Sequence, residues 1–263
     1  MAGNRRSPSR KNRGGRVYLV GAGPGPVELL TLKAAELLRD ADVVVYDRLV
    51  QESVLALASP CAERIYTRKP AGRHSSCQDE VNEVLVRKAR EGKCVVRLKG
   101  GDPFVLGRGG EEAEYLAAKR VPFEIIPGVS SAIAAPLRAG IPVTHRHVAS
   151  CVVIATGHEA HRDEGRLDWA ALSKLDTLVF LMCVRNVGRI ASRLIENGRD
   201  PATPAALIQM AYWPGERVLV STLATIAEEA ERAQVRPPAT LVIGKVVKWR
   251  ERLRIKDFLL SDF

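Results

Sequence analysis

The stretch RLKGGDPFVLGRGGEE (97–112) concentrates more chemistry than any other part of the chain. Gly100, Gly101, Gly107, Gly109, Gly110 and Pro103 lie between an apolar run and an amphipathic one, far more than a connection needs. Glycines at this density expose backbone N–H groups and let a flat ligand approach the main chain. Asp102 can accept hydrogen bonds from ligand hydroxyls; capping of neighbouring amides is the alternative that the residues alone leave open. Substituting Gly101 by valine is accordingly expected to weaken ligand binding while the fold stays near native.

Two more loops have similar grammar. An apolar run ends in Gly21, Ala22, Gly23, Pro24, Gly25 and Pro26. A dinucleotide fingerprint would need glycine at 26, so a Rossmann pyrophosphate loop is disfavoured, although a ligand can still approach this backbone. Pro127, Gly128, Val129, Ser130 and Ser131 form the third loop, where a serine hydroxyl can cap a helix or meet a ligand. Asp47 and Lys69 stand where loops leave apolar runs, as side chains rimming a cleft would; taken singly, each is an ordinary surface charge.

Other chemistries are poorly supported. Cys61, Cys77, Cys94, Cys151 and Cys183 are odd in number and widely spaced, against a disulfide framework or a zinc site, and they suit a reducing cytoplasm. His145 with His147, and His158 with His161, have no second ligand cluster beside them, so no metal is expected. The formal charge of +10 invites a nucleic-acid reading, but Arg5, Arg6, Arg10, Lys11 and Arg13 supply half of it. Six more cations crowd residues 245–257, leaving the centre of the chain nearly neutral. Nucleic-acid surfaces cluster cations on a folded face, so no nucleic-acid partner is expected. No apolar run approaches the roughly 18 residues of a spanning helix, so no membrane partner is expected either.

The elements that must hold these loops follow α/β grammar. Strands are predicted at residues 17–20, 43–46, 94–98 and 123–126, with helices over 28–39, 78–90 and 110–119 and another after Gly128. The alternation restarts with strands at 151–155, 178–182, 205–209, 217–221 and 240–247 and helices at 187–196 and 223–233. The reading is a basic disordered arm (1–15), an N-terminal α/β domain (16–143), a C-terminal α/β domain (150–250) and a tail (251–263). Two α/β domains commonly hold a small-molecule site in the cleft between them.

In this order the segments resemble the tetrapyrrole methylases. The resemblance is carried by VYLVGAGPG (17–25), LLTLKAAELLRDADVVVYDRLV (29–50), RLKGGDPFVLGRGGEEAEYL (97–116), PGVSSAIAAPLRAGIPVTHR (127–146) and ATGH (155–158). It implies a non-Rossmann α/β homodimer that binds S-adenosylmethionine between its domains. The reaction it implies is C-methylation of uroporphyrinogen III at two ring carbons; a later precorrin methylation is the near alternative, and an RNA-binding or RNA-modifying protein, suggested by the basic ends, the distant one. By motif, the resemblance places donor contacts on Pro24, Gly100, Gly101, Asp102, Val105, Ser130, Ser131, Met182 and Ala211. It makes Asp47 the proton acceptor and Lys69 the proton donor. Arg73, Arg108 and Arg146 are natural anchors for substrate carboxylates. Pro26, Pro70 and Arg138 depart from the aspartate, arginine and tyrosine that the resemblance expects.

Overall fold

The computed structural model describes residues 15–67, 76–161 and 166–253. Residues 1–14 of the basic arm, Lys69, Pro70, Arg73 and residues 254–263 lie outside the described residues. The chain divides into two compact units between Gly128 and Val129.

The first unit is a parallel sheet in the order β3-β2-β4-β1-β5, made of β1 (Arg16–Gly21), β2 (Val43–Tyr46), β3 (Glu63–Tyr66), β4 (Cys94–Lys99) and β5 (Phe123–Ile126). The central strands read as continuous apolar runs because both faces are covered. Side chains of β1 alternate between those faces. Tyr18 and Val20 join Leu37, Leu38, Val54 and Leu55 of α1 (Leu32–Asp40) and α2 (Glu52–Leu55). Val17 and Leu19 join Val81, Leu85, Ala113 and Leu116 of α3 (Ser76–Arg90) and α4 (Gly109–Ala118).

Helix α1 starts later than its apolar periodicity suggests. Leu30 and Thr31 are extended, and the Thr31 hydroxyl accepts the Ala34 N–H at 3.2 Å, capping the helix there. Strand β3 carries no clear apolar signal: only Ile65 is half-buried, and its place is set by pairing with β2.

The second unit holds a mixed sheet, β6-β7-β10-β8-β9, from β6 (Val152–Thr156), β7 (Thr177–Leu181), β8 (Pro204–Gln209), β9 (Arg217–Thr222) and β10 (Ala239–Ile243). On one face lies α5 (Ser131–Arg138), whose Ala132 and Ala135 pack with Val179, Ala206 and Val242. On the other lie α6 (Trp169–Ser173), α7 (Val187–Glu196) and α8 (Ile226–Arg232). The sequence reading runs the first domain to residue 143, whereas this alanine-rich face of α5 is buried on the second sheet. The strand expected to reach 247 ends at Ile243, because Gly244 turns the chain (φ 149°) and its N–H reaches Pro204 O. Helix α9 (Trp249–Leu253) extends past the expected domain end at 250, and Arg250 donates to the Ala139 carbonyl. Among the described residues, no helix is long and apolar enough to cross a membrane.

Candidate functional site

Strands β1 and β4 are neighbours, yet the chain leaving β1 passes over to β2 and the chain leaving β4 passes the other way to β5. Their C-terminal ends therefore mark a topological switch point, where open α/β sheets form ligand crevices. Here the two glycine loops bond to each other: Gly101 N–H donates to Gly23 O at 2.7 Å and Gly23 N–H to Gly101 O at 3.2 Å. The third loop crosses them so closely that a Cβ on Gly128 would lie 2.3 Å from Gly101 O, and one on Gly21 2.5 Å from Gly128 Cα. Gly101 is left-handed (φ 70°). Asp102 ties the crossing together: Oδ1 accepts Phe104 N–H at 2.8 Å and Oδ2 accepts Gly128 N–H at 3.0 Å. Both readings of Asp102 are thus compatible, since a carboxylate that accepts two amides keeps further lone pairs for a ligand.

Much of the glycine excess serves the loop itself. A Cβ at Gly100 would meet Leu49, and Cβ atoms at Gly107 and Gly109 would meet the Pro103 carbonyl at 2.7 and 2.4 Å. Folded this way, the loop buries Pro103, half-buries Val105, and leaves Phe104 and Leu106 exposed. Pro24 is buried beside it. Leu106 and Arg108 are both left-handed (φ 53° and 60°). Arg108 pairs with Glu111 through two nitrogens, Nε to Oε1 at 3.0 Å and Nη2 to Oε2 at 2.6 Å. That mutual bond raises the guanidinium's pKa and lowers the carboxyl's. A substrate carboxylate at Arg108 would therefore meet an exposed cation already shared with Glu111.

Asp47 follows β2 at the same edge of the sheet. Its Oδ1 accepts Leu49 N–H at 3.0 Å, and its Oδ2 lies 3.7 Å from Arg97 Nη2. Arg97 is buried; Nε donates to Glu112 Oε1 at 3.2 Å and Nη1 to the carbonyls of Val45 and Leu98. Glu112 is wholly buried, and Lys99 Nζ at 2.8 Å and Gln78 Nε2 at 3.1 Å converge on the same Oε1. Burial alone would raise the Glu112 carboxyl, but the charges of Arg97 and Lys99 together hold it below its usual range. Burial, reinforced by Arg97, lowers the Lys99 ammonium. Glu112 Oε2 has no hydrogen-bond partner among the described residues. This cluster was not anticipated from sequence, although a signal existed: Arg97 and Lys99 share one face of an otherwise apolar strand, and Glu112 is the acid that could neutralise them.

In the second unit, β7 and β8 run the same way, both antiparallel to β10, and β6 is parallel to β7, so the loops after β6, β7 and β8 leave one edge of the sheet. Met182, after β7, is 44% exposed and left-handed (φ 55°). Ala211, after β8, is half-buried between Met210 and Tyr212, both left-handed (φ 52° and 65°). Non-glycine residues in this conformation cluster at functional loops. Gly157 of the ATGH segment packs where a Cβ would strike Cys183, a buried thiol pushed up to about 12 by desolvation. Ser130 caps α5, its Oγ accepting Ala132 N–H at 3.2 Å, and Ser131 is half-buried. Arg146 is exposed on a turn closed by His145 and Ala149, whose His145 ring packs 4.2 Å from Trp249. The structure thus brings Pro24, Asp47, Gly100, Gly101, Asp102 and Val105 to one sheet edge in the first unit, and Met182 and Ala211 to one sheet edge in the second.

Known proteins extend these observations. A methyltransferase of Methanosarcina barkeri described as S-adenosyl-L-methionine-dependent uroporphyrinogen III methyltransferase is 53% identical over 89% of this chain and 92% of its own. The uroporphyrinogen-III C-methyltransferase of Methanocaldococcus jannaschii is 48% identical over 89% of this chain and 97% of its own. A crystal structure of uroporphyrin-III C-methyl transferase from Thermus thermophilus complexed with S-adenyl homocysteine superposes with a TM-score of 0.76 at 46% identity, covering 89% of this chain and 99% of that one. The sequence profile of the tetrapyrrole (corrin/porphyrin) methylases matches residues 16–227, and the chain belongs to that family.

Proposed function

We propose that this chain transfers methyl groups from S-adenosylmethionine to two ring carbons of uroporphyrinogen III, giving precorrin-2 by way of precorrin-1, for sirohaem or cobalamin synthesis. The observation that carries the reading is the crossing of three glycine loops at the switch point, with Asp47 emerging at the same edge. The donor suits the residues present. Exposed Phe104 and Leu106 offer apolar surface to an adenosine, while the Asp102 carboxylate offers lone pairs to its hydroxyls. We assign donor contacts to Pro24, Gly100, Gly101, Asp102, Val105, Ser130, Ser131, Met182 and Ala211.

S-adenosylmethionine supplies a methyl group already activated as a sulfonium, so the protein's first task is to hold a nucleophilic pyrrole carbon in line at near-attack distance. As the carbon–carbon bond forms and the carbon–sulfur bond breaks, the ring system becomes cationic; it loses one proton overall, and its remaining protons are redistributed among ring positions, which gives both an acceptor and a donor a role. Asp47 is the acceptor in this reading, with Oδ1 fixed by the Leu49 amide and Oδ2 facing Arg97. Lys69 is the proton donor, and Arg73, Arg108 and Arg146 meet the substrate's carboxylates; Arg108 exchanges part of its hold on Glu111 to do so.

We infer a cytoplasmic homodimer. Cys61, Cys94, Cys151 and Cys183 form no disulfide among the described residues, as in a reducing compartment. Ile133, Leu137 and Leu253, at 39%, 63% and 46% exposure, line one apolar groove with Pro142 and Val143 that a second copy would cover. Incubation with both substrates tests the activity: S-adenosylhomocysteine must accumulate only when uroporphyrinogen III is present, and release without it would contradict the reading.

A further inference from the structure

Helix α5 carries Arg138 in its last turn, where the family resemblance expects tyrosine. Arg138 Nε donates to both oxygens of Glu216, at 3.2 Å to Oε1 and 3.1 Å to Oε2. Its guanidinium also lies over the Tyr212 ring, with Cζ 5.3 Å from the centroid. Glu216 in turn accepts the Tyr212 N–H through Oε2 at 2.8 Å. The three residues therefore close a ring of contacts on the loop that follows β8. Within it, Ala211 is flanked by two left-handed residues, Met210 and Tyr212. Such a backbone persists only where its surroundings over-determine it. Met210 N–H donates to Pro238 O and Trp213 N–H to Met210 O, which hold the two ends; Arg138 and Glu216 hold the middle. Both side chains of this pair are about three-quarters buried, so water screens it less than a surface pair.

We propose that Arg138, acting through Glu216, is a positioning residue for S-adenosylmethionine: it keeps residues 210–212 in the shape that presents the Ala211 backbone to the donor. The proposal rests on the donor-binding reading above. A loop fixed beforehand adds no ordering cost when the ligand arrives, and a loop released from its clamp does. A tyrosine at 138 could still stack on Tyr212 but would lack the charge that holds Glu216.

Calorimetry of S-adenosylhomocysteine binding to the full chain tests this, comparing wild type with Arg138→Met, Arg138→Lys, Glu216→Gln and the Arg138→Met/Glu216→Gln double variant. Arg138→Met is expected to raise Kd about tenfold. Arg138→Lys keeps the charge but loses the planar fork and the stacking, so it should raise Kd by about threefold. The double variant should bind no more weakly than the worse single one, because both substitutions cut the same link. In turnover, the loss should fall on the donor KM more than on kcat. Should Arg138→Met fail to fold, Arg138→Lys and Glu216→Gln carry the same comparison. A wild type that binds, with every variant within twofold of it and only Tm lowered, would overturn the clamp. A wild type that does not bind would overturn the donor reading itself, and the clamp with it.

Discussion

Arg97 Nη2 lies 3.7 Å from Asp47 Oδ2 while its Nε, 3.2 Å from Oε1, grips the wholly buried Glu112. A carboxylate at the switch point is thereby linked to an ion cluster in the interior of the first unit. Isolated surface aspartates turn freely; this one is held on one side by the Leu49 amide and faces on the other a cation that is itself fixed by Glu112 and by the carbonyls of Val45 and Leu98. A carboxylate so fixed suits a proton acceptor that must meet one particular ring position.

Asp47→Asn keeps size and the hydrogen bond from Leu49 but removes basicity. If Asp47 takes the proton, methyl transfer should fall about 10² to 10⁴-fold, with donor and substrate affinities little changed. Single-turnover measurement at saturating donor reads the chemical step directly, and a rate within about threefold of wild type would remove Asp47 from the chemistry.

Glu112→Gln should destabilise the first unit, because it leaves Arg97 and Lys99 buried with no compensating anion beyond Asp47. Breaking a buried pair by removing one partner costs about 3–5 kcal/mol. The pH dependence has a definite sign. The Glu112 carboxyl is held below its usual value of 4.5, so its contribution is present above that value and is lost as pH falls through the lowered folded value. Denaturation of wild type and Glu112→Gln should therefore differ most near neutral pH and converge in acid. A difference that stayed constant from pH 7 down to pH 3 would contradict the charged role of Glu112.

Gly101→Val now carries a different expectation from the one the loop composition suggests. Gly101 is left-handed and both its N–H and carbonyl bond to Gly23, so a β-branched residue strains the crossing itself. The variant should lose about 1–3 kcal/mol of stability as well as donor affinity. Thermal unfolding alongside calorimetry separates the two; a native Tm with weakened binding would restore the simpler steric picture.

Legibility followed physical signal. Strand β2 and helix α7 fall within the residues where apolar periodicity places them, because burial on both faces or along one stripe writes itself into composition, and edge strand β5 is legible through Phe123, Ile125 and Ile126. Strand β3 escaped because only Ile65 of its four residues is even partly buried, and α2 and α6 because one turn of helix has too few residues to show a period. Residues 97–112 announced a site, yet their glycines proved to be used largely by the loop's own packing. Arg97, Lys99 and Glu112 sat inside that motif unread, since the pairing of charges 13 and 15 residues apart depends on how α4 returns across β4. Arg138 was visible only as a departure from a family pattern; its link to Tyr212 through Glu216, 78 residues away, is a product of the fold.

The central claim, two C-methylations of one tetrapyrrole, is tested most directly by a quenched time course of the chain with uroporphyrinogen III and S-adenosylmethionine, read by product mass. The account predicts a species with one added methyl group that rises first and gives way to one with two, each methyl matched by one S-adenosylhomocysteine. An unchanged tetrapyrrole mass, or methylation confined to a substrate that is already a corrin precursor, would contradict it.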